Sequence, residues 1–387
     1  MKMFIDLHTT ELEKLNLLRK ELHSIAELSG KEHETSERII SFLEEYKPDS
    51  IISQVGETGI IATWDSKQPG KEILIRADMD ALPIEETNDF DYKSKNKRAS
   101  HKCGHDGHMT IVCGLAIMLS KHKLKTGKVH LLFQPSEENG KGALMMINDK
   151  KFAQIQPDYV FALHNLPGFP LHAIIVKEGS FSAAVNSIII NLRGKTSHAS
   201  EPEHGINPGI AVAEILLQCS KLEKNEPTSE QMQIITPVYA QLGEKAYGTS
   251  AGQATVHFTI RCWNNDRLES LQKDIENLAT KTAKKHKLKI GFEYTETFYA
   301  NENDSKSVQL VRSAANKEGI TLIEKEHPFK WGEDFGMFTT KYTGCMFGLG
   351  AGKNYSALHN PDYDFPDTIT PTGIKIFYNI IKELTNV

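Results

Sequence analysis

Apolar residues recur at helical spacing in two stretches near the start of the chain, ELEKLNLLRKELHSIAE (11–27) and ETSERIISFLEEY (34–46), and predict two amphipathic helices. Four short runs rich in Ile, Leu, Val or Phe follow: GIIATW (59–64), KEILIRADMDALP (71–83), GKVHLLFQPSEE (127–138) and PDYVFALHNLPG (157–168). Between them lies the helical pattern HMTIVCGLAIMLSKH (108–122). Strands alternating with helices predict an α/β layer architecture, with a mixed, largely parallel sheet flanked by helices. In such sheets ligands gather at the carboxyl ends of the strands. Asp78, Asp80, Glu137, Glu138 and His164 fall there.

From about Ser182 the texture changes. NSIIINLRG (186–194) and ATVHFTIRCW (254–263) read as half-buried antiparallel strands, each followed by a helical stretch, PGIAVAEILLQCSKLE (208–223) and RLESLQKDIENLATKTAKKH (267–286). Two strand–helix pairs fit a small α+β module inserted into a larger domain. The tail from about Tyr294 resumes the first texture, with CMFGLG (345–350) as a strand and TGIKIFYNIIKEL (372–384) as a closing helix. The expected division is therefore 1–182 with 295–387 as a catalytic, metal-binding domain, and 183–294 as a lid or dimerisation domain. A chain of 387 residues also exceeds one ordinary core.

Composition narrows the function classes. A charged fraction of 25% with 39% hydrophobic residues describes a globular protein. The net charge of −5 offers no electrostatic case for nucleic acid or an anionic membrane as partner. The opening MKMFIDLHTTELEKL is charged from its second residue and predicts no secretory signal, and no apolar run is long enough to cross a bilayer. Five widely spaced cysteines, an odd number, fit reduced thiols and a cytoplasmic location. The basic run TAKKHKLK reads as the solvated end of a helix.

The segment HKCGHDGH (101–108) concentrates the chemistry. Cys103 and His105 are two apart in a glycine-containing turn before an apolar helix, and thiolate and imidazole are both good ligands for Zn²⁺ and its neighbours. The bland alternative is a buried thiol beside a helix-capping histidine, and spacing alone leaves His101 and His108 as further candidates. QPSEENG (134–140) adds two adjacent glutamates after a buried strand. Adjacent side chains there point in different directions, so Glu138 can hold a metal while Glu137 faces substrate and shuttles a proton. SALHNPDYDFPD (356–367) places His359 in an irregular, proline-rich loop.

With these segments assembled, the chain resembles the M20 metallopeptidase family, and within it the amidohydrolase branch that contains hippurate hydrolases, indole-acetyl-amino-acid hydrolases and N-acetyl-amino-acid deacetylases. The matching motifs are RADMDALPIEE, HKCGHDGHM, FQPSEENGKGA, ALHNLPG, GKTSHASEP, GEDF and ALHNPDYDF, which cover nearly the whole chain in the family's order. The resemblance implies a zinc-exopeptidase-like catalytic domain with an α+β lid, and two divalent ions per subunit, Zn, Mn, Co or Ni, held by Cys103, His105, Glu138, His164 and His359. It implies a bridging role for Cys103, Glu137 as general base, Asp80 as an acid supporting the metal site, and His198 as a stabiliser of the oxyanion. Two departures touch substrate contacts: AYGTSA (246–251) has Gly248 and Ala251 where the family often has Asn and Pro, and Glu203 precedes His204 where a histidine is frequent.

The expected activity is hydrolysis of the amide bond of N-acyl amino acids or related small amides, in a homodimer or higher homo-oligomer, with a dipeptidase or aminoacylase of the same family as the alternative. A metal-storing protein would not need Glu137 beside Glu138, and a non-catalytic descendant would have lost ligands.

Overall fold

The structure is a computed structural model describing residues 7–385. The first six residues, on which the reading of the N-terminus partly rests, lie outside the described residues. The chain divides into two compact units, residues 1–181, 301–326 and 334–387 against residues 182–300 and 327–333.

In the first unit, helices α1 (Thr9–Ser24) and α2 (His33–Glu44) precede strands β1 (Ser50–Val55), β2 (Gly59–Asp65) and β3 (Glu72–Asp78). Helix α3 (His105–Lys121), β4 (Lys128–Gln134), α4 (Gly142–Asn148), β5 (Tyr159–Pro167) and β6 (Ile174–Val176) follow. With two later strands they form an eight-stranded sheet of order β1-β2-β4-β3-β5, Gly344–Gly352, β6, Leu322–Glu324. The four adjacent strands β4, β3, β5 and Gly344–Gly352 pair in parallel. β1 and β2 depart from that pattern and run antiparallel, since only a tight turn joins Val55 to Gly59 and a parallel crossover needs a dozen or more residues.

The parallel strands are nearly continuous apolar runs because both faces are covered. Every residue of β3 after Glu72 is buried, as is every residue of β4 after Lys128. Helix α3 is buried over its first fifteen residues, the signature of a helix apolar all round. It packs against α1 and the closing helix Thr370–Thr385. That approach needs Gly114, where an added Cβ would lie 2.2 Å from Ile374 Cδ1.

The second unit is built on a four-stranded antiparallel sheet, with strands Gln233–Leu242, Gln253–Cys262, Ala184–Arg193 and Lys289–Phe298 in that order. Burial alternates along Gln253–Cys262, and the buried face, including Val256, Phe258 and Ile260, packs with Ile215, Leu271 and Ile275 of helices Gly209–Ser220 and Asn265–Lys285. Asn264 caps the longer helix by accepting from the Arg267 N–H. The edge strand Lys289–Phe298 carries this unit past Tyr294, so the return of aromatic and apolar texture there does not mark its end.

Candidate metal-binding active site

The carboxyl ends of β3, β4 and β5 converge on one cluster of donors. Asp78 ends β3, Glu137 and Glu138 follow β4, and His164 stands near the end of β5. Cys103 and His105 enter from the turn that starts α3. His105 is the first residue of that helix, and the helix-capping alternative fails: the N-cap is Gly104, with no side-chain cap bond.

Each imidazole is oriented by a backbone carbonyl. His105 Nδ1 donates to the Asp80 carbonyl at 2.8 Å and His164 Nδ1 to that of Asn165 at 2.8 Å. That turns both Nε2 atoms toward the neighbouring donors, the arrangement by which metal-ligating histidines are held. His164 Nε2 lies 3.5 Å from Cys103 Sγ. His105 Nε2 faces Asp78, Glu138 and Glu137 carboxylate oxygens at 3.7, 3.7 and 3.9 Å. Among the donor sets whose ligand atoms all lie within 4.8 Å of one another are Cys103, His105 and His164; Cys103, Glu138 and His359; His105, Glu137 and Glu138; and Asp78, His105 and His108. Cys103 belongs to two of them. His359 is the exposed member, its side chain 53% accessible and its Nε2 4.0 Å from Glu138 Oε2.

Asp80 organises the two glutamates. Its carboxylate accepts the N–H of Glu137 at 3.1 Å, the N–H of Glu138 at 3.0 Å and the Ser29 hydroxyl at 2.6 Å. One buried carboxylate thus fixes the turn from which the glutamates diverge. Ser136, just before them, holds a left-handed backbone at φ 55°, as does His359 at φ 66°. Such strain in non-glycine residues persists only where the surroundings over-determine it. Glu32 supplies part of that restraint by accepting the Ser136 N–H at 2.9 Å.

The donor set fits a divalent cation. His105 Nε2 and Glu138 Oε1 are buried without a hydrogen-bond partner, an expensive condition unless an ion takes their lone pairs. Burial, with Asp80 and Asp78 close by, pushes Glu138 up to about 7 despite the pull of His105. Burial and Glu138 likewise push the Cys103 thiol well above its usual range. A coordinated cation inverts both effects, holding the carboxylate ionised and deprotonating a thiol outright.

The other two histidines of the segment differ: His108 is hydrogen-bonded, whereas both ring nitrogens of His101 are buried without a hydrogen-bond partner. His108 Nδ1 pairs with Asp78 Oδ1 at 2.7 Å, and its Nε2 accepts the Asn165 N–H at 3.1 Å. His101 is buried and belongs to none of the donor sets among the described residues. His198 lies in the second unit on a short exposed strand, Ser197–His198, paired with Thr249–Ser250 of AYGTSA. Its Nδ1 accepts the Ser200 N–H at 3.2 Å, which leaves the neutral ring with its proton on Nε2. At Gly248 an added Cβ meets nothing within 4 Å, so no close packing requires the glycine there.

A buried scaffold that apolar periodicity does not reveal lies beneath these groups. Arg76 reaches Asp78 at 2.7 Å and Asp334 at 2.9 Å, and Asp334 also accepts from Gln134 Nε2 and the Ala143 N–H. An arginine inside the apolar run EILIRAD was the available signal, since a buried arginine needs a paired partner. Gly104 is equally constrained: its φ is +92°, and an added Cβ would sit 2.7 Å from Asn165 Oδ1. Gly104→Ala should lower stability by roughly 1–3 kcal/mol, the scale of a residue held in a disfavoured region. Unchanged denaturant midpoint and slope would contradict that reading.

A mixed α/β unit that gathers buried thiol, imidazole and carboxylate donors around its strand ends has the build of a metal-dependent hydrolase. Residues 74–383 match Peptidase family M20/M25/M40, and the chain belongs to that family. It is 30% identical over 362 residues to the N-acetyldiaminopimelate deacetylase of Bacillus subtilis (strain 168), covering 92% of this chain and 96% of that protein. The enzyme of the same name from Bacillus pumilus (strain SAFR-032) is 30% identical over 347 residues, 90% of this chain and 92% of that one. Among solved structures, a dinuclear metal-binding M20 peptidase of Bacillus subtilis superposes with a TM-score of 0.83 at 25% identity, over 98% of this chain and 99% of that one. A putative aminohydrolase from methicillin-resistant Staphylococcus aureus shares the fold, with a TM-score of 0.88 at 23% identity over 97% of each chain.

Proposed function

We propose that this protein is a metal-dependent amidohydrolase that removes the acyl group from N-acyl amino acids, with N-acetyl amino acids as the substrate class. The observation that carries the reading is the Asp80 carboxylate, which accepts both the Glu137 and Glu138 N–H groups and sets two glutamates of different roles beside Cys103, His105 and His164. Cys103, His105, Glu138, His164 and His359 would hold two divalent ions, Zn, Mn, Co or Ni. Cys103 belongs to two of the donor sets and so could contribute its sulfur to either ion. When bound, such ions polarise an acyl carbonyl and make water acidic enough to lose a proton near neutral pH.

The remaining work falls to side chains. Glu137 accepts the proton of the attacking water at its carboxylate and returns it to the leaving amine. Asp80 keeps Glu137 aimed through the backbone and, by accepting at its carbonyl, keeps His105 in the tautomer with Nε2 unprotonated. His198, carrying its proton on Nε2, is the group we assign as donor to the oxyanion.

The two N-acetyldiaminopimelate deacetylases support an N-acetyl amino acid as substrate, and that compound is the first to assay. A panel of N-acetyl, N-benzoyl and dipeptide substrates tests the reading. Preference for dipeptides by a factor of ten or more in kcat/KM would reject it in favour of a peptidase.

The second unit also serves as the dimer contact. Its strand Gln233–Leu242 lies at the sheet edge with seven consecutive exposed residues, among them Val238, Tyr239 and Leu242, and helix Gly209–Ser220 exposes Ile210 and Leu217. Open edges with apolar side chains are templates for pairing with a second copy. Among the described residues no helix is long and apolar enough to cross a membrane, and all five cysteines are free and buried. A reducing cytoplasm suits them.

His198→Ala should bind metal normally, keep KM within a few-fold and lose roughly 10²–10³ in kcat, the scale of one lost oxyanion donor. Near wild-type kcat would refute the role. If the histidine acts across a dimer, mixing this variant with Glu137→Gln protein restores part of the activity.

A further inference from the structure

The segment carrying Cys103 and His105 is bracketed by two charged, fully buried residues. On one side Lys102 directs its Nζ to Glu86 Oε1 at 2.5 Å, to the Tyr363 carbonyl at 2.7 Å and to Asn88 Oδ1 at 2.8 Å. On the other, Asp106 places Oδ2 2.7 Å from His23 Nδ1 and 3.5 Å from Arg19 Nη1. The two sides meet at His23, whose Nε2 lies 2.9 Å from the same Glu86 Oε1. His23 therefore stands between two carboxylates, and an ionised carboxylate can only accept, so both ring nitrogens donate and the ring is an imidazolium.

The surroundings favour that state. Burial works against the charge, but Asp106 and Glu86 hold His23 up at about 9. Glu86 is correspondingly drawn down to about 2, its burial outweighed by His23 and Lys102. Arg19 spans Asp364 and Asp367 at 2.8 and 2.7 Å, and the rings of Phe90 and Tyr92 stand edge-on to His23.

Stability alone is a weak reason for such a network. Replacing a buried ion pair with well-packed apolar groups is often neutral or stabilising. Its placement is specific: it grips the residue before Cys103 and the residue after His105, and it reaches them from α1.

We propose that His23 is a positioning residue that ties Asp106 to Glu86 and Lys102, and so holds Cys103 and His105 at the spacing a divalent cation requires. This rests on the reading of Cys103 and His105 as ligands. It adds to that reading a determinant of metal affinity that lies outside every donor set.

The test is a competition titration of the metal-free, full-length protein with Zn²⁺ or Mn²⁺ against a chromophoric chelator, with thermal melts in parallel. His23→Gln breaks one of the two contacts, and Glu86→Gln weakens the junction from the other side. His130→Gln is the comparison, a buried histidine on β4 bonded to the Thr63 hydroxyl at 2.9 Å. His23→Gln and Glu86→Gln should each weaken cation binding by roughly 10–100-fold, the usual cost of losing a partner that orients a ligand. His130→Gln should leave affinity unchanged while lowering the melting temperature. Affinity within twofold of wild type in both network variants would overturn the proposal, as would an equal loss in His130→Gln. If His23→Gln fails to fold, Glu86→Gln carries the decision. A wild-type protein that binds no cation would instead overturn the ligand reading itself.

Discussion

Glu137→Gln protein is expected to keep its full complement of divalent cation and to lose roughly 10²–10⁴ of its turnover, the contribution of a positioned general base. The substitution preserves the shape of a side chain that is only 8% exposed. It also preserves the backbone N–H that Asp80 accepts, so the Glu138 turn should not move. What it removes is the capacity to take a proton from water. Because that capacity is used in the transition state and not in substrate binding, kcat and kcat/KM should fall together with KM little changed. Metal analysis beside steady-state kinetics reads both quantities. A variant retaining a tenth or more of wild-type turnover would require another group to be the base.

Cys103→Ser and His359→Ala should each lower bound metal from two ions per subunit towards one or none, and nearly abolish activity. Serine keeps the volume of the buried thiol but replaces a soft thiolate with a hydroxyl that does not ionise near neutral pH. Cys103 shares donor sets with His105 and His164 and with Glu138 and His359, so its loss should weaken both ions. His359 lies in one set only and is half exposed, so its variant should lose one ion with little effect on the apo fold. Cys113 is the control. It is fully buried in α3 among apolar neighbours, and Cys113→Ala should change stability modestly and chemistry little. Full metal occupancy in both ligand variants would reject the assignment.

Local sequence determined the parts of this protein whose physics is local. The apolar runs around Ile75, Leu131 and Phe161 could only be buried strands, and each necessarily delivers whatever follows it to a strand end. Asp78, Glu137, Glu138 and His164 were therefore legible as a group before any geometry was known. Alternation along Ala254–Cys262 likewise showed a half-buried strand in a second module. The spacing of Cys103 and His105 suggested donors without separating them from His101 and His108.

Only the tertiary structure decided which nitrogen of each histidine faces the other donors, because that depends on carbonyls of Asp80 and Asn165, the first distant in sequence from the ring it binds. It also set His108 between Asp78 and Asn165, in a donor set with Asp78 and His105 that includes neither Cys103 nor Glu138. The edge strand Lys289–Phe298 belongs to the second unit for a similar reason: its place was settled by hydrogen bonds to Ala184–Arg193, about a hundred residues earlier. The pair Arg19 and His23 was the most concealed feature. The two sit one helical turn apart among Leu15, Leu18 and Leu22, where a sequence reader expects only apolar neighbours. A buried charge has meaning only through its partners, and Asp106, Glu86, Asp364 and Asp367 come from loops and helices that the chain's own order keeps far apart. Helical periodicity reports which face is buried, whereas complementary charge is a property of what that face meets.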